Sequence, residues 1–500
     1  MHHPALTWNR LVRLTAKLPL TLALAFVLPL AASAQDTTGD DSTVIYPASY
    51  FGQWGPRTSQ DMLDRIPGQA STSSSGGFSG SGGNPSAGGR GLGSGSGGTD
   101  ILIDGKRTAG KNNQAGGLLR RIAADQVQEI QIIRGTSGEL DVRGSGQVIN
   151  IVLFEALASQ SISWDATATM AQDREFIPAG SVAVSGQSGE FDYLFSLRSN
   201  PRYGHNVTHE RSILGDFTRN DIIHEHRIND RDNNELSINL GYDFSSNSSA
   251  RVNALYAVQD SPTTVDRVTN NLRTTPNSIV SEKEDNPSDR DNWEIGGDYE
   301  FTLAGGARFK LLGIANKNSQ DSTRERSQLK DDGIFQKNLF LNIDSFTEER
   351  IARGSYTMDI FSEQNIEFGL ERAETILDSR LSLGLLSTTG TTSDAVGGLV
   401  PKSVSNANSR VEEIRYEPFL IHNWTISPKM SLESTLVYET SEISQTGDVT
   451  RKRDFDFVKP KVDFRYDMTP TLQLRGTIER LVNQLNFSDF VAANDDQDND

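Results

Sequence analysis

The fold of this chain is decided by residues 99–154, which read TDILIDGKR (99–107), LLRRIAADQVQEIQIIRG (118–135) and VRGSGQVINIVLF (142–154). Residues 100–104 are a short apolar segment closed by a turn pair, and residues 127–133 alternate apolar and polar side chains, so both are predicted strands. Residues 118–124 carry apolar side chains at helical spacing, and residues 148–153 form a final apolar strand. A small unit that mixes strands and a helix is therefore expected here.

Two motifs close this unit. Residues 133–135 are Ile-Arg-Gly, and residues 144–152 are Gly-Ser-Gly-Gln-Val-Ile-Asn-Ile-Val. Their order and separation resemble the plug domain of TonB-dependent outer-membrane receptors. The matching residues are Arg134, Gly135, Arg143, Gly144, Gly146 and Asn150, with Arg90 and Gly91 before the first strand. The resemblance implies a mainly β protein in which a small α/β plug domain lies inside an antiparallel transmembrane β-barrel.

The resemblance also implies how the plug is held, because arginines of such plugs face glutamates of the barrel wall. The candidate arginines are Arg134 and Arg143, and their candidate partners are Glu294, Glu367, Glu371 and Glu433. A buried arginine–carboxylate pair is strong only when it is desolvated and geometrically matched. The alternative is that both arginines are ordinary turn residues.

The composition excludes several classes of protein. The formal net charge is -18, whereas contact with nucleic-acid phosphates needs clustered lysine and arginine. The chain has no cysteine, which excludes disulfides, thiolate metal sites, a cysteine nucleophile and a lipid anchor on an N-terminal cysteine. We therefore expect no nucleic-acid partner, and the balance fits a secreted or surface protein.

The N-terminus has the parts of a secretory signal peptide. Basic residues precede an apolar run at residues 18–30, and Ala32-Ser33-Ala34 forms an A-x-A cleavage pattern. A transmembrane anchor is the alternative, but a membrane-spanning helix needs about 20 consecutive apolar residues. Residues 1–34 are therefore predicted to be removed on export.

Residues 35–57 are predicted to be a periplasmic leader. Its segment 41–48 is similar to the TonB box of the family, which pairs with an edge strand of the periplasmic TonB energy-coupling protein. The residues expected to pair are Asp41, Thr43, Val44, Ile45 and Tyr46. An extended segment gains backbone hydrogen bonds from a partner sheet and can be pulled without unfolding a core. A disordered leader is the alternative.

The plug domain is predicted to span residues 58–155 and to begin with a short helix over residues 58–66, capped at Thr58 or Ser59. Glycine then makes up twelve of the 23 residues from 76 to 98. No predicted strand precedes this segment and no predicted helix follows it, so a nucleotide-binding loop is not favoured. A mobile ligand-facing loop and a passive linker both stay open.

From residue 161 onward, apolar and polar side chains alternate with a period of two. The pattern is clear at residues 191–197, 236–244, 293–303, 462–466 and 472–478. A soluble β-sandwich also alternates, so the connections decide between the two architectures. Short turns alternate with long polar connections, which are predicted at residues 200–234, 259–292, 317–349 and 373–411. This arrangement is typical of transmembrane barrels, so residues 156–500 are predicted to form a barrel wall.

The predicted barrel is incomplete. About thirteen strands are counted between residues 161 and 482, whereas plugged transporters have about 22 and single-chain bacterial barrels have an even number. Residues 494–500 are an acidic polar run that does not resemble a closing strand. We therefore expect a chain that is truncated at the C-terminus and a barrel that is open.

Catalytic and metal-binding patterns are weak. Four of the seven histidines, His205, His209, His224 and His226, fall in one predicted outer loop, where they are candidates for facing a ligand. Imidazole is a common transition-metal ligand, but no compact ligand spacing frames the four, and a solvated acidic loop is the alternative. We therefore predict no metal site, no cofactor and no enzymatic activity.

The resemblance implies a receptor of the cell outer membrane, surrounded by lipid and energised by TonB, that takes up a scarce solute. Iron chelates are the common cargo of such receptors, and cobalamin, oligosaccharides and peptides are others. Two rival functions stay open. One is a passive outer-membrane barrel or adhesin, and the other is a secreted β-rich enzyme.

Overall fold

The computed structural model of this chain describes residues 43–66, 100–103, 105–107, 119, 122–134, 147–154, 160–427, 429–469, 472–482 and 485–492. Within these ranges no helix is both long enough and apolar enough to cross a membrane. The predicted signal peptide and the glycine-rich segment 76–98 lie outside the described residues. So do seven of the predicted site residues, namely Asp41, Arg90, Gly91, Gly135, Arg143, Gly144 and Gly146.

A five-stranded sheet forms the plug, with its strands in the order β1-β4-β5-β2-β3. Their bounds are β1 Thr43–Pro47, β2 Asp100–Ile103, β3 Lys106–Arg107, β4 Val127–Arg134 and β5 Gln147–Leu153. β2 and β5 run parallel, and the other neighbours are antiparallel. The strands predicted at residues 100–104, 127–133 and 148–153 are confirmed.

Two short helices accompany this sheet, α1 Ala48–Phe51 and α2 Ser59–Leu63. Thr58 caps α2, because its hydroxyl accepts the backbone N–H of Asp61 at 3.2 Å while the Asp61 carboxylate accepts the backbone N–H of Thr58 at 3.1 Å. This capping box satisfies two of the N–H groups that a helix start leaves unpaired. The predicted cap at Thr58 is therefore confirmed.

The helix predicted over residues 118–124 is wrong for the part that the structure describes. Leu119, Ile122 and Ala123 lie outside any helix, and a 3₁₀ turn, Ala124–Gln126, leads into β4. All three side chains are buried, so their apolar spacing reflects a loop that packs on the core and not the face of a helix. The core around them also holds Phe51, Met62, Leu63, Ile130, Ile149 and Ile151.

The remaining strands form one closed barrel. Their bounds are β6 Gln160–Met170, β7 Phe176–Ser188, β8 Phe191–Ser199, β9 Arg202–Ile213, β10 Arg219–Ser245, β11 Ser248–Asp260, β12 Thr263–Asn271, β13 Ser278–Asn286, β14 Ser288–Thr302, β15 Arg308–Leu329, β16 Phe335–Phe361, β17 Gln364–Leu385, β18 Val400–Lys402, β19 Asn408–Ser427, β20 Met430–Gly447, β21 Arg451–Thr469 and β22 Leu472–Glu479. β10 and β16 have 27 residues each, whereas about 9–11 residues cross a bilayer as a tilted strand. The wall therefore extends far beyond the apolar layer.

In four places two consecutive strands share one span of the wall: β8 with β9, β11 with β12, β13 with β14, and β18 with β19. The described strands therefore make thirteen spans, in agreement with the predicted count. The expectation of an open barrel is wrong, because β22 neighbours β6. Successive spans alternate in direction, so the first and the thirteenth run the same way. An odd number of spans closes only if β22 and β6 meet in the same direction.

The prediction of four long polar connections is also wrong, because most of the residues in these segments belong to paired strands. Beyond the bilayer both faces of a strand meet water, so the alternation of polarity disappears while the backbone ladder continues. The outer connections between the described strands are short turns at residues 171–175, 214–218, 272–277, 330–334 and 448–450, with a longer one at 386–399.

Contacts with the plug show which face of the wall points inward. Leu194 of β8 belongs to the hydrophobic core of the plug, and the Ser185 hydroxyl of β7 donates to the Gln126 side chain at 2.7 Å. Leu194 is in register with Asn239, so odd-numbered residues of β10 face the lumen. The outer face of the same strand carries the apolar residues Leu236, Ile238, Leu240, Tyr242 and Phe244.

Candidate coupling strand and luminal charges

The predicted coupling residues Thr43 to Tyr46 form β1, which pairs with β4 from Thr43 opposite Ile133 to Pro47 opposite Glu129. They are therefore a strand of the plug sheet, and their pairing with a strand of the TonB protein stays a prediction. Val44 and Tyr46 pack against the plug core, and the rings of Tyr46 and Tyr50 meet edge to face at 5.1 Å. This apolar contact supplies the reason why the segment docks. β1 nevertheless stands at the edge of the described sheet.

Asn150, in the second plug motif, holds three parts of the plug together. Its side chain is buried, its carbonyl oxygen accepts the backbone N–H of Gly105 at 2.7 Å, and its amide donates to the Gln131 side chain at 2.9 Å. Gly105 has a left-handed φ of 73°, which suits glycine in the turn between β2 and β3. The motif asparagine therefore has a structural role that ties β5 to this turn and to β4.

The candidate wall glutamates face inward and are largely buried, with Glu294, Glu371 and Glu433 no more than 5% exposed. Arginines of the wall lie beside two of them. The guanidinium of Arg353 lies 3.7 Å from Glu367 and 3.6 Å from Glu371, and Arg415 lies 3.6 Å from Glu371. Such pairs offset the cost of burying charge. The backbone of Arg134 ends β4 opposite Gln147, but its side chain and all of Arg143 lie outside the described part, so the predicted plug–wall pairing stays a prediction.

A second set of charges lines the inner face above the apolar band, and we call it the vestibule cluster. Arg267 and Arg227 both lie 2.9 Å from Glu225, and Arg324 lies 2.7 Å from Glu284. Glu282 and Arg326 complete the cluster at 3.7 Å from each other. Burial raises the pKa of the Glu284 carboxyl, but hydrogen bonds from Arg324 and Asn286 lower it. The lowering outweighs the effect of burial, so the pKa lies below its ordinary value.

Arg227 and Arg324 also line a cavity of about 260 Å³. Its remaining lining is mostly small and polar, with Ser261, Thr263, Asn286, Ser288, Ser322 and Thr323. Both arginines bring positive charge to this lining, beside the carboxylates that they contact. The cavity is therefore suited to an anionic group.

The sequence pattern does not predict the vestibule cluster, because its residues fall in the segments predicted to be long polar connections. A signal was present in the spacing. Charges stand two apart at residues 225 and 227, 282 and 284, and 324 and 326, which on a strand places each pair on one face.

The four candidate histidines lie on paired strands, His205 and His209 on β9 and His224 and His226 on β10. The loop that was predicted for them is therefore wrong. The register sets His209 opposite His224 and Ile228 opposite His205, so all four side chains are on the outer face of the barrel, away from the lumen. In the described residues, no three histidine, aspartate or glutamate side chains converge as a ready-made metal site.

Comparisons with known proteins agree with this architecture. Residues 34–146 match the family model for the TonB-dependent Receptor Plug Domain, and residues 175–496 match the model for the TonB dependent receptor-like beta-barrel. A comparison with curated proteins found no match.

Three similar solved structures are receptors. The siderophore receptor PiuA from Acinetobacter baumannii is 13% identical with a TM-score of 0.40, over 88% of this chain and 64% of that one. The ferric-catecholate import receptor Fiu from E. coli K12 is 10% identical with a TM-score of 0.27, over 88% and 85% of the two chains. The ferric enterobactin receptor PfeA from Pseudomonas aeruginosa is 10% identical with a TM-score of 0.24, over 89% and 94%. Since the barrel model alone matches more than half of the sequence, the chain belongs to the TonB-dependent receptor family.

Proposed function

We propose that this protein is an outer-membrane receptor that takes up a scarce anionic solute, driven by a periplasmic TonB protein. The observation that carries the proposal is the position of the plug sheet against the inner wall, through Leu194 and the 2.7 Å contact between Ser185 and Gln126. A passive pore needs an open lumen, so a plug in contact with the wall disfavours the passive rival. Uptake through such a barrel requires the plug to move, and movement against these contacts requires energy.

Coupling enters through β1. An edge strand offers one row of backbone groups to a strand of a partner, and strand addition supplies hydrogen bonds without a preformed pocket. A force applied to β1 reaches β4 directly, since five residues of the two strands are in register. The part of the predicted TonB box that this mechanism uses is Thr43, Val44, Ile45 and Tyr46.

The favoured cargo is an iron chelate with negative charge. Arg227 and Arg324 line the vestibule cavity on the inner face of the wall, where an anionic ligand would arrive from outside. The cavity volume of about 260 Å³ fits one arm of a chelate better than a whole ligand. Cobalamin and neutral oligosaccharides would form weaker electrostatic contacts with these two arginines, so we rank them second.

Proline substitutions in β1 test the coupling step. Successive backbone N–H groups of a strand point to opposite edges, so one of Val44 and Ile45 donates toward β4 and the other toward the open edge. In Val44→Pro and Ile45→Pro separately, we expect bound ferric chelate on cells to persist and its energy-dependent accumulation to fall at least tenfold for the position that faces the open edge. Ile45→Thr is the control, because it keeps the N–H and the β-branched side chain. Undiminished accumulation in both proline variants would refute the proposed coupling strand.

A further inference from the structure

The histidines on the outer face form a cross-strand group that the spacing along the chain conceals. Nε2 of His205 lies 3.3 Å from Nδ1 of His226. His224 stacks on His226 with ring centroids 5.4 Å apart and planes 3° from parallel, and the ring of His209 meets that of His224 at 3.7 Å. Four imidazoles thus share one patch of two neighbouring strands.

The separation of the two ring nitrogens matches a metal-bridged pair. Zinc–nitrogen bonds in proteins are about 2.0–2.1 Å long. A cation bound to both nitrogens at that length, with the nitrogens 3.3 Å apart, would subtend an N–metal–N angle of roughly 107°, close to tetrahedral. Little side-chain movement is therefore needed for His205 and His226 to bind one ion together.

A carboxylate already orients the first of these rings. Nδ1 of His205 lies 3.1 Å from the carboxylate of Asp173, which also accepts the phenol O–H of Tyr203 at 2.5 Å. In the tautomer in which Nδ1–H of His205 donates a hydrogen bond to Asp173, Nε2 is unprotonated and its lone pair faces His226. Histidines that bind metal are commonly held by such a carboxylate.

The patch lies in water beyond the apolar band. His226 is ten residues from Leu236 along β10, which is about 33 Å of strand. The outer face is separate from the lumen, so the patch does not depend on the proposed uptake function.

We propose that His205 and His226 form a binding site for a single divalent transition-metal cation such as Zn²⁺ or Cu²⁺ on the outer surface of the barrel, with Asp173 as the residue that positions His205. Borderline-soft dications prefer imidazole, whereas Mg²⁺ and Ca²⁺ prefer oxygen. Two protein ligands leave the other coordination positions to water. A plain hydrogen bond between the two imidazoles is the competing account.

Metal titration of the full chain in detergent distinguishes the two accounts. ZnCl₂ is the probe in equilibrium dialysis, and Cu²⁺ is the probe in electron paramagnetic resonance, where each bound imidazole nitrogen adds hyperfine structure. The variants are His205→Ala, His226→Ala and Asp173→Asn. His422→Ala is the matched control, because His422 lies on β19 and bonds to Gln364 instead of another histidine. Heat-modifiable gel mobility reports that each variant is folded.

We expect one Zn²⁺ per chain, an affinity at least tenfold lower in His205→Ala and in His226→Ala, and a loss of about 10–100-fold in Asp173→Asn. The Cu²⁺ spectrum should show hyperfine structure from two imidazole nitrogens. His422→Ala should bind Zn²⁺ with the same affinity as the unmodified chain. Zinc binding that is absent, or that is equal in all folded variants, would overturn the proposal. So would a Cu²⁺ spectrum with fewer than two imidazole nitrogens.

Discussion

Gly369 is a residue where the inner wall has no room for a side chain. A Cβ on Gly369 would lie 2.6 Å from Cζ of Phe419 and would also meet the backbone oxygen of Gly354. The Phe419 ring is buried and supports the guanidinium of Arg353 at 4.4 Å. Arg353 in turn lies beside Glu367 and Glu371, so the glycine sets the geometry of a charged group in the lumen.

We therefore expect Gly369→Ala to destabilise the barrel by about 1–3 kcal/mol, since backbone atoms cannot move aside as a flexible side chain can. Gly313→Ala is the matched control, because its nearest neighbour is an Ile351 oxygen at 3.9 Å, an ordinary contact. Urea unfolding of the purified barrel, followed by gel mobility, measures both. Equal unfolding midpoints for the two variants would contradict the packing that we describe at Gly369.

The Glu284–Arg324 pair predicts a stability that depends on pH. Because the folded-state pKa of Glu284 is lowered, its contribution is present above the unfolded pKa of about 4.3 and is lost as the pH falls through the lower folded value. Arg324→Gln leaves the buried carboxylate without its main partner, so we expect a loss of about 3 kcal/mol at pH 7. The difference from the unmodified chain should shrink below pH 4.

Lys283→Gln is the control substitution, at the residue beside Glu284 on β13. The Lys283–Asp266 pair is more than half exposed, so it contributes about 0.5 kcal/mol or less to stability. Unfolding midpoints measured at pH 7 and at pH 3 supply the data. A deficit of Arg324→Gln that stays constant over this range would show that Glu284 is not the group responsible.

At the scale of the strand, the sequence predicts best where one face meets lipid or the plug core. The alternation at residues 236–244 predicted the lower half of β10, and the apolar run 148–153 predicted β5, because in both the burial of one side imposes a period. The upper half of β10, with His224, Glu225 and Arg227, carries polar residues on both faces, so no alternation of polarity separates it from a loop. For this reason the pattern predicts neither the vestibule cluster nor the strands that carry the four histidines.

This difference between strands and loops gives a prediction for proteolysis. Proteinase K added to intact cells should cut at residues 388–392, which are exposed and lie in the longest described outer connection. Residues 202–213 and 219–234 should resist, because paired backbone does not enter a protease active site without local unfolding. Mass spectrometry of the fragments locates the cuts. Rapid cleavage within residues 202–213 or 219–234 would contradict the paired strands β9 and β10.

At the scale of the whole molecule, the number of spans was predictable but closure was not. About thirteen strands can be counted from alternation, yet whether the last meets the first depends on tilt and register, which the local pattern does not contain. Similarly, the two plug motifs predicted a plug inside a barrel, whereas the docking of β1 on β4 depends on the tertiary contacts of Val44 and Tyr46.

The proposed uptake requires the plug to move relative to the wall, and the chain offers a clean way to prevent that movement. It has no cysteine, so introduced thiols have no native competitor. The Ser185 hydroxyl of the wall and the Gln126 side-chain oxygen of the plug lie 2.7 Å apart, so cysteines at both positions can be joined by a short thiol crosslinker. Ser196 and Ser237, 2.8 Å apart and both in the wall, provide the control pair.

Accumulation of radioactive ferric chelate by cells that carry these pairs is the decisive measurement. We predict that crosslinked Gln126→Cys/Ser185→Cys binds the chelate but does not accumulate it, and that a cleavable crosslink restores accumulation once it is reduced. Crosslinked Ser196→Cys/Ser237→Cys should accumulate the chelate normally. Undiminished accumulation through a barrel whose plug is fully crosslinked to its wall would contradict energised uptake by displacement of the plug.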